Sequence, residues 1–197
     1  MRLGVVSDLH CNVLGLQAAL RLMGDIDQLI CLGDCINEFR FSNEVVQTLI
    51  DTEALVIKGN HEEVFFGPLG ARARSSPGND RALMDWLDAQ PYQRELCMED
   101  QRLVLVHSTA WEPRGAYVHP DSPELARFAE VPADVVMYGH THLQVSTRID
   151  GVLILNPGST GDGRDHRNQR QLSCAIVDLP SQTVEIIDFP DPARAAR

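Results

Sequence analysis

The sequence has no long apolar run: none of its hydrophobic stretches approaches the ~20 residues with which a helix crosses a bilayer. Its start, MRLGVVSDLH, carries one Arg and ends in polar residues, which is wrong for a secretory signal peptide. The five cysteines are odd in number and form no C-x-x-C pair, so we expect reduced thiols rather than a disulfide framework. These absences predict a soluble, cytoplasmic protein.

Positive charge is also scarce. The chain holds 17 Lys and Arg residues against 28 Asp and Glu residues, which gives a formal net charge of -11. An acidic surface repels nucleic-acid phosphates and anionic membranes unless bound metal reverses the field locally. We therefore expect neither long nucleic acid nor a membrane as a partner. The composition leaves the oligomeric state open.

No internal repeat, low-complexity tract or obvious linker divides the 197 residues. This length suits one domain over 1–197 that ends in a short tail at about 190–197. Short apolar runs that end in polar or glycine residues predict six buried strands: LGVVSD, QLICLGD, ALVIKGNH, RLVLVHS, DVVMYGH and VLILNPGS.

Helical patterns alternate with the early strands, whereas hairpin patterns dominate later. Helices are predicted to begin at four capping residues: Asn12, Ser42, Asp80 and Ser122. Asp150-Gly151 predicts a tight hairpin, and RELCM with RLVLVH and CAIVDL with VEIIDF predict two more. This order predicts an α/β fold, a layered α/β/β/α sandwich of two mixed β-sheets flanked by helices.

Polar side chains of one chemical kind follow five of the predicted strands. Singly, each fits a helix cap, a turn or an incidental strand end, but together they fit a ligand site at the carboxyl ends of strands. Oxygen and imidazole ligands without thiolates suit Mn²⁺, Fe²⁺, Ni²⁺ or Zn²⁺, and seven are too many for one ion. They suit two ions about 3.5 to 4 Å apart. The seven are Asp8, His10, Asp34, Asn60, His107, His140 and His142.

The motifs that hold these residues are DLH, GD, GNHE, HST and GHTH. Their order resembles the five motifs of the calcineurin-like metallophosphoesterases, and the resemblance extends from about Leu3 to Phe189. The sequence NPGS at 156–159 resembles the end of the last motif in the small bacterial phosphodiesterase-like branch. The resemblance implies one cation on Asp8, His10, Asp34 and His142. It implies a second on Asp34, Asn60, His107 and His140, with Asp34 as the bridge.

The same resemblance assigns His61 a catalytic role, in which it protonates the leaving group or stabilises the phosphoryl transition state. The alternative is a supporting histidine tethered to a carboxylate, for which Glu62 is the candidate. Asn12 fits a helix cap better than a phosphate contact. Cys11 and Ser108 replace glycines that are common in the branch. Cys11 and Cys35 adjoin candidate ligands, and burial explains them better than metal binding or redox sensing.

The implied function is hydrolysis of phosphate esters at a dinuclear centre, most simply with Mn²⁺, by a water that bridges the cations. No cap domain fits in the chain, so an open site is expected to favour small phosphodiesters. Phosphomonoesters and phosphoproteins remain alternatives, as does a non-catalytic metal-binding scaffold. The retromer subunit is such a scaffold and lacks the histidine of the third motif, whereas His61 is present here.

Three loops are predicted to wall the site: 37–42, the long segment FFGPLGARARSSPGND at 65–80, and 159–170. GSTGDG at 158–163 opens no helix and matches no P-loop, so we interpret it as a flexible loop. The arginines that follow fit a solvated surface better than a substrate contact.

Overall fold

The structure is a computed structural model that describes residues 1–112 and 114–195. The helices are α1 (Val13–Met23), α2 (Asn43–Asp51), α3 (Asn60–Phe66), α4 (Ala71–Arg74), α5 (Arg81–Asp88) and α6 (Pro192–Ala195). The strands are β1 (Arg2–Val6), β2 (Gln28–Cys31), β3 (Leu55–Val56), β4 (Gln93–Met98), β5 (Gln101–Val106), β6 (Val135–Met137), β7 (Gln144–Ile149), β8 (Val152–Pro157), β9 (Leu172–Asp178) and β10 (Thr183–Phe189). Two 3₁₀ helices span Pro68–Gly70 and Pro123–Glu130.

Two sheets of five strands form the centre of the fold. One has the order β10-β9-β1-β2-β3 and the other β4-β5-β6-β8-β7. Each mixes parallel and antiparallel pairs: β1 is parallel to β2 and antiparallel to β9, and β8 is parallel to β6 and antiparallel to β7. The predicted sandwich of two mixed sheets flanked by helices is confirmed.

Alternation along the strands builds the layers. In β1, Leu3 packs between the two sheets, while Val6 packs on the opposite face with α1. In β5, Leu103 joins the cluster between the sheets and Val104 packs on the outer face. Since both faces of the inner strands are covered, β1, β5, β6 and β8 contain continuous runs of apolar residues in the sequence.

Three of the four predicted helix starts are confirmed. The side chains of Asn12, Ser42 and Asp80 accept backbone N–H groups at the first turns of α1, α2 and α5. Ser122 begins a 3₁₀ helix instead, in which Leu125 and Phe128 are buried. Their spacing of three matches the three residues per turn of that helix.

The segment 65–80 is more ordered than the predicted wall loop. It contains the end of α3, the 3₁₀ turn at Pro68–Gly70 and α4. Phe65 is buried in the core beneath it, and the Arg74 guanidinium donates hydrogen bonds to the carbonyls of Phe65 and Gly67. The buried Phe65 ring and the hydrogen bonds of Arg74 therefore hold this segment against the domain.

The predicted tail contains α6, and Asn12 Nδ2 donates a 3.1 Å hydrogen bond to Asp191 Oδ1 just before it. Residues 196 and 197 of that tail lie outside the described residues. The single domain over 1–197 stays a prediction. Of the helices in the described part of the chain, none has the length and apolarity that crossing a membrane requires.

Candidate metal centre

Tight turns at the carboxyl ends of the strands bring the candidate ligands together. Five of these residues have a left-handed backbone, with φ between 46° and 67°: Asp8, His10, Asp34, His140 and His142. This conformation is uncommon for residues other than glycine and costs of order 1 kcal/mol or more each. It turns the side chains away from the strand direction and toward a common point.

One group of candidate ligands contains Asp8, His10 and His142, whose ligand atoms lie within 4.8 Å of one another. His142 Nε2 lies 3.3 Å from Asp8 Oδ1 and 3.0 Å from His10 Nε2. All three side chains are buried. A carboxylate and two imidazoles face one small space, as a divalent cation requires.

A second group contains Asp34, His107 and His140 under the same distance criterion. His107 Nε2 lies 3.3 Å from Asp34 Oδ2 and 3.1 Å from Asn60 Oδ1. A further group joins Asp34 to His10 and His61. Asp34 therefore stands between the two ligand groups, where a bridging carboxylate would stand.

Backbone carbonyls fix the orientation of three of these histidines. His107 Nδ1 donates to Leu32 O at 2.7 Å, and His142 Nδ1 donates to Asp162 O at 2.7 Å. His140 Nε2 donates to Gly115 O at 3.2 Å. Each ring thus has one nitrogen engaged as a donor and leaves the other for a ligand, which is the usual arrangement around metal-binding histidines.

One unpartnered atom supports a cation in the first group. Asp8 Oδ1 is fully buried and, although near His142, makes no hydrogen bond of good geometry. A buried carboxylate oxygen without a partner is costly. The donor set therefore fits a divalent metal ion, which would satisfy this oxygen.

Electrostatics within the cluster favours ionised carboxylates. Burial alone would raise the pKa of Asp8 and Asp34, but His142 lowers that of Asp8, and His107 lowers that of Asp34. Burial would lower the pKa of His107, yet the charge and hydrogen bond of Asp34 raise it to about 10. Burial lowers the pKa of His10 to about 4. A cation at the second group would displace the proton of His107.

His61 faces the ligand groups from the first turn of α3. The backbone N–H of Glu38 donates to His61 Nδ1 at 3.2 Å, so the proton of the neutral ring is on Nε2. That nitrogen lies 3.8 Å from Asp34 Oδ2, and the side chain is 21% exposed. His61 can therefore present a donor to a molecule bound beside Asp34.

Glu62 does not tether His61, contrary to the alternative drawn from the sequence. It points inward, where its carboxylate accepts the backbone N–H groups of Asp34, Gly59 and Ile36 at 2.7 to 3.1 Å. Burial raises its pKa to about 7. Gly59 has to be glycine because a Cβ atom there would overlap Asp34 Oδ1. Glu62 thus fixes the turn that carries Asp34 to the start of α3.

Replacing Glu62 by alanine is expected to lower the free energy of unfolding by about 3 kcal/mol or more, because it leaves three buried N–H groups unpaired at about 1 to 3 kcal/mol each. The matched control is Glu63→Ala, an exposed neighbour in the same helical turn. Urea denaturation of both metal-free variants measures the difference. Equal stability of the two variants would show that Glu62 does not hold this turn.

The sequence did not assign a role to several residues that hold the ligand-bearing turns in place. Ser159 Oγ donates to Asp8 O at 2.8 Å, and Asn156 Nδ2 donates to Gly139 O at 2.8 Å. Gly161 N donates to Asp8 O, so the segment predicted to be a flexible loop is bonded to the turn that carries a ligand. The NPGS sequence was the available signal, since it places this segment beside the motif histidines.

The structure also shows the surroundings of the helix-cap candidate, the two cysteines beside the ligands and the loop arginines. Asn12 Oδ1 caps α1 at 2.9 Å from Gly15 N. Burial raises the pKa of Cys11, and the Cys31 thiol together with burial raises that of Cys35, so neither is a reactive thiolate. Each arginine of the following loop pairs with a nearby side chain: Arg164 with Asp162, Arg167 with Asp165 and Arg170 with His166.

A cleft of about 430 Å³ opens beside Asn60 and His107. Ser108, which the sequence indicated as a replacement of a common glycine, also lines it. Further walls come from residues that the sequence did not indicate: Lys58, Glu63, Tyr92, Gln93, Glu112 and Arg114. Phe39 and Leu69, from two of the predicted wall loops, line a separate hollow, although Glu38 of the first of these loops contacts His61 at the centre. The candidate centre is thus open to solvent on the Asn60 side.

Comparison with known proteins shows which family the chain resembles in sequence. The sequence profile of the calcineurin-like phosphoesterase superfamily domain matches residues 1–182. Phosphodiesterase YfcE of Escherichia coli is 27% identical over 161 residues, covering 81% of this chain and 79% of YfcE. Phosphodiesterase MJ0936 of Methanocaldococcus jannaschii is 26% identical over 162 residues, covering 80% and 83%.

The fold is shared with solved structures. A metallophosphoesterase from Sphaerobacter thermophilus superposes with a TM-score of 0.80 at 22% identity, over 99% of this chain and 91% of that one. The profile match extends over nearly the whole chain and includes every candidate ligand. The chain therefore belongs to the calcineurin-like phosphoesterase superfamily and is a metal-dependent phosphoesterase.

Proposed function

We propose that the protein hydrolyses small phosphodiesters at a centre of two divalent cations. The observation that carries this proposal is the position of Asp34, which belongs both to a group with His107 and His140 and to a group with His10 and His61. One cation would be held by Asp8, His10, Asp34 and His142, and the other by Asp34, Asn60, His107 and His140. Mn²⁺ suits this mixed oxygen and nitrogen set, as do Fe²⁺, Ni²⁺ and Zn²⁺.

When bound, two such cations would supply Lewis acidity and would lower the pKa of water, so that it could serve as the nucleophile. The protein contributes the ligands and holds their side chains in position. The ionised Asp8 and Asp34 supply the negative charge that cations require. The hydrogen bonds from His107 and His142 to backbone carbonyls keep their Nε2 atoms directed at the centre.

His61 is proposed as the catalytic residue that acts on the leaving group. Because Glu38 N occupies Nδ1, the proton lies on Nε2, which can donate a hydrogen bond to the departing oxygen or to a phosphoryl oxygen. Full proton transfer requires the protonated ring, in which Nδ1 gives up its bond from Glu38. The ring thus stabilises the charge that develops as the ester bond breaks.

The preference for diesters rests on the open side of the centre. The cleft beside Asn60 and His107 has room for a second ester substituent, and about 300 to 1,000 Å³ is typical of ligand sites. Two similar proteins, YfcE and MJ0936, are named phosphodiesterases. A small phosphomonoester or a phosphoprotein is the alternative substrate. A cytoplasmic location and the lack of nucleic-acid and membrane partners stay predictions from the sequence.

With Mn²⁺ present, the protein is expected to cleave bis(4-nitrophenyl) phosphate faster than 4-nitrophenyl phosphate, because the cleft accepts the second aryl group. Parallel measurement of kcat/KM for both esters tests this expectation, and Asp34→Asn protein purified identically provides the blank. A clear preference for the monoester would overturn the diester proposal. Absence of metal-dependent turnover of either ester would favour a non-catalytic scaffold.

A further inference from the structure

The segment 114–117 covers the candidate ligand His140, although no sequence motif indicated it. The Gly115 carbonyl accepts a hydrogen bond from His140 Nε2 at 3.2 Å. The Tyr117 ring stacks on the His140 ring, with centroids 3.9 Å apart and an angle of 24° between the planes. The imidazole is therefore held at its edge by one residue of this segment and on its face by another.

A single hydroxyl connects this segment to the fourth motif. Ser108 Oγ accepts a 2.8 Å hydrogen bond from the Gly115 backbone N–H. Ser108 is buried and directly follows the candidate ligand His107. Gly115 has a φ of +96°, a conformation that glycine adopts readily and other residues rarely. The orientation of the Gly115 carbonyl thus depends on a left-handed glycine and on the Ser108 hydroxyl.

The contact with Gly115 decides which nitrogen of His140 can bind a cation. A carbonyl only accepts, so His140 Nε2 must carry the proton and Nδ1 must be unprotonated in the neutral ring. Nδ1 is then the atom available to the group that His140 forms with Asp34 and His107. Histidines that bind metal with one ring nitrogen usually donate the N–H of the other nitrogen to a partner, which fixes the orientation of the ring.

We propose that Ser108 is a positioning residue for the metal ligand His140: its hydroxyl holds Gly115 so that the carbonyl fixes the His140 tautomer and presents Nδ1 to the cation. This inference rests on the proposed function for the role of the cation. The tautomer itself is a property of the metal-free protein. The two can therefore be tested separately.

The direct test is the tautomer of His140 in metal-free protein, read from long-range ¹H–¹⁵N correlations of the imidazole rings at pH 7.5. Wild-type protein is expected to show the form protonated on Nε2. Ser108→Ala is expected to show a mixture of both forms, and Ser108→Thr, which keeps the hydroxyl, is expected to restore the single form.

Ser122→Ala is the matched control. The Ser122 hydroxyl also accepts a backbone N–H, from Glu124 at 3.2 Å, but at the start of the outer 3₁₀ helix. It is expected to leave the His140 signals unchanged. Gly115→Ala provides a second variant, because a side chain at a φ of +96° is strained and should reorient the same carbonyl without removing the hydroxyl.

The second readout is cation affinity, measured by titration calorimetry with Mn²⁺. Ser108→Ala is expected to weaken one of two binding steps by about ten-fold or more and to leave the other unchanged. If the tautomer and both steps are the same as in wild type, the proposal is wrong. If the tautomer changes while wild type itself binds no Mn²⁺, the positioning of His140 stands and the proposed function fails.

Discussion

Replacing Asp34 by asparagine is expected to abolish hydrolysis and to remove most of the bound metal. Asp34 lies between the two ligand groups, so a neutral amide there weakens both cation sites together. The Asp34→Asn variant also lacks the ionised carboxylate, which in the wild-type protein lies 3.3 Å from His107 Nε2. A loss of about 4 kcal/mol or more in transition-state stabilisation corresponds to about 10³-fold or more in kcat/KM.

Elemental analysis after dialysis against Mn²⁺ buffer, together with the diester assay, measures both effects. Asp34 accepts the backbone N–H of His61 at 2.9 Å. Asp134→Asn is the matched control, since its carboxylate likewise accepts a backbone N–H, from Arg102 at 2.7 Å, but at the opposite end of β6 from the candidate ligands. The control is expected to retain metal and turnover. Two bound ions and normal turnover in Asp34→Asn would remove the bridging assignment.

Replacing His61 by alanine is expected to leave both cations bound and to lower kcat by about 10²-fold or more, the usual range for loss of a positioned proton donor. His61 presents Nε2 beside Asp34, but the two proposed cations have their ligands without it. The loss should be larger for an alkyl leaving group than for 4-nitrophenolate, because a basic leaving oxygen depends more on a donor.

His166→Ala provides the comparison, as His166 is an exposed histidine that contacts Arg170. Elemental analysis separates chemistry from metal binding in both variants. If His61→Ala turns over a dialkyl phosphodiester, whose leaving group has to be an alkoxide, at the wild-type rate, His61 is not catalytic. If it loses metal instead, His61 is itself a ligand.

Local chemistry made much of the fold predictable. The capping side chains of Asn12, Ser42 and Asp80 act within their own first turns, so their sequences carry the information. Asp150-Gly151 forms the predicted hairpin turn, and both of its residues have positive φ. The candidate ligands could be named because each follows a strand, and the carboxyl ends of strands meet at one edge.

The remainder depends on contacts between distant segments. Glu62 is adjacent to His61 in the sequence, which suggested a tether, yet its partners are the backbone N–H groups of Asp34, Ile36 and Gly59. The hydrogen bonds from the Gly115 N–H to Ser108 and from His140 to the Gly115 carbonyl link segments with no shared pattern. Pro123–Glu130 shows the same limit, since the capping residue marks where the helix begins but does not choose between α and 3₁₀ geometry.

The most direct test of the account is a crystal structure of the protein grown with Mn²⁺, with anomalous difference density measured at the manganese edge. The account predicts two peaks about 3.5 to 4 Å apart with Asp34 between them. One peak should lie against Asp8, His10 and His142, and the other against Asn60, His107 and His140. A single peak, or peaks away from Asp34, would contradict a dinuclear centre bridged by this residue.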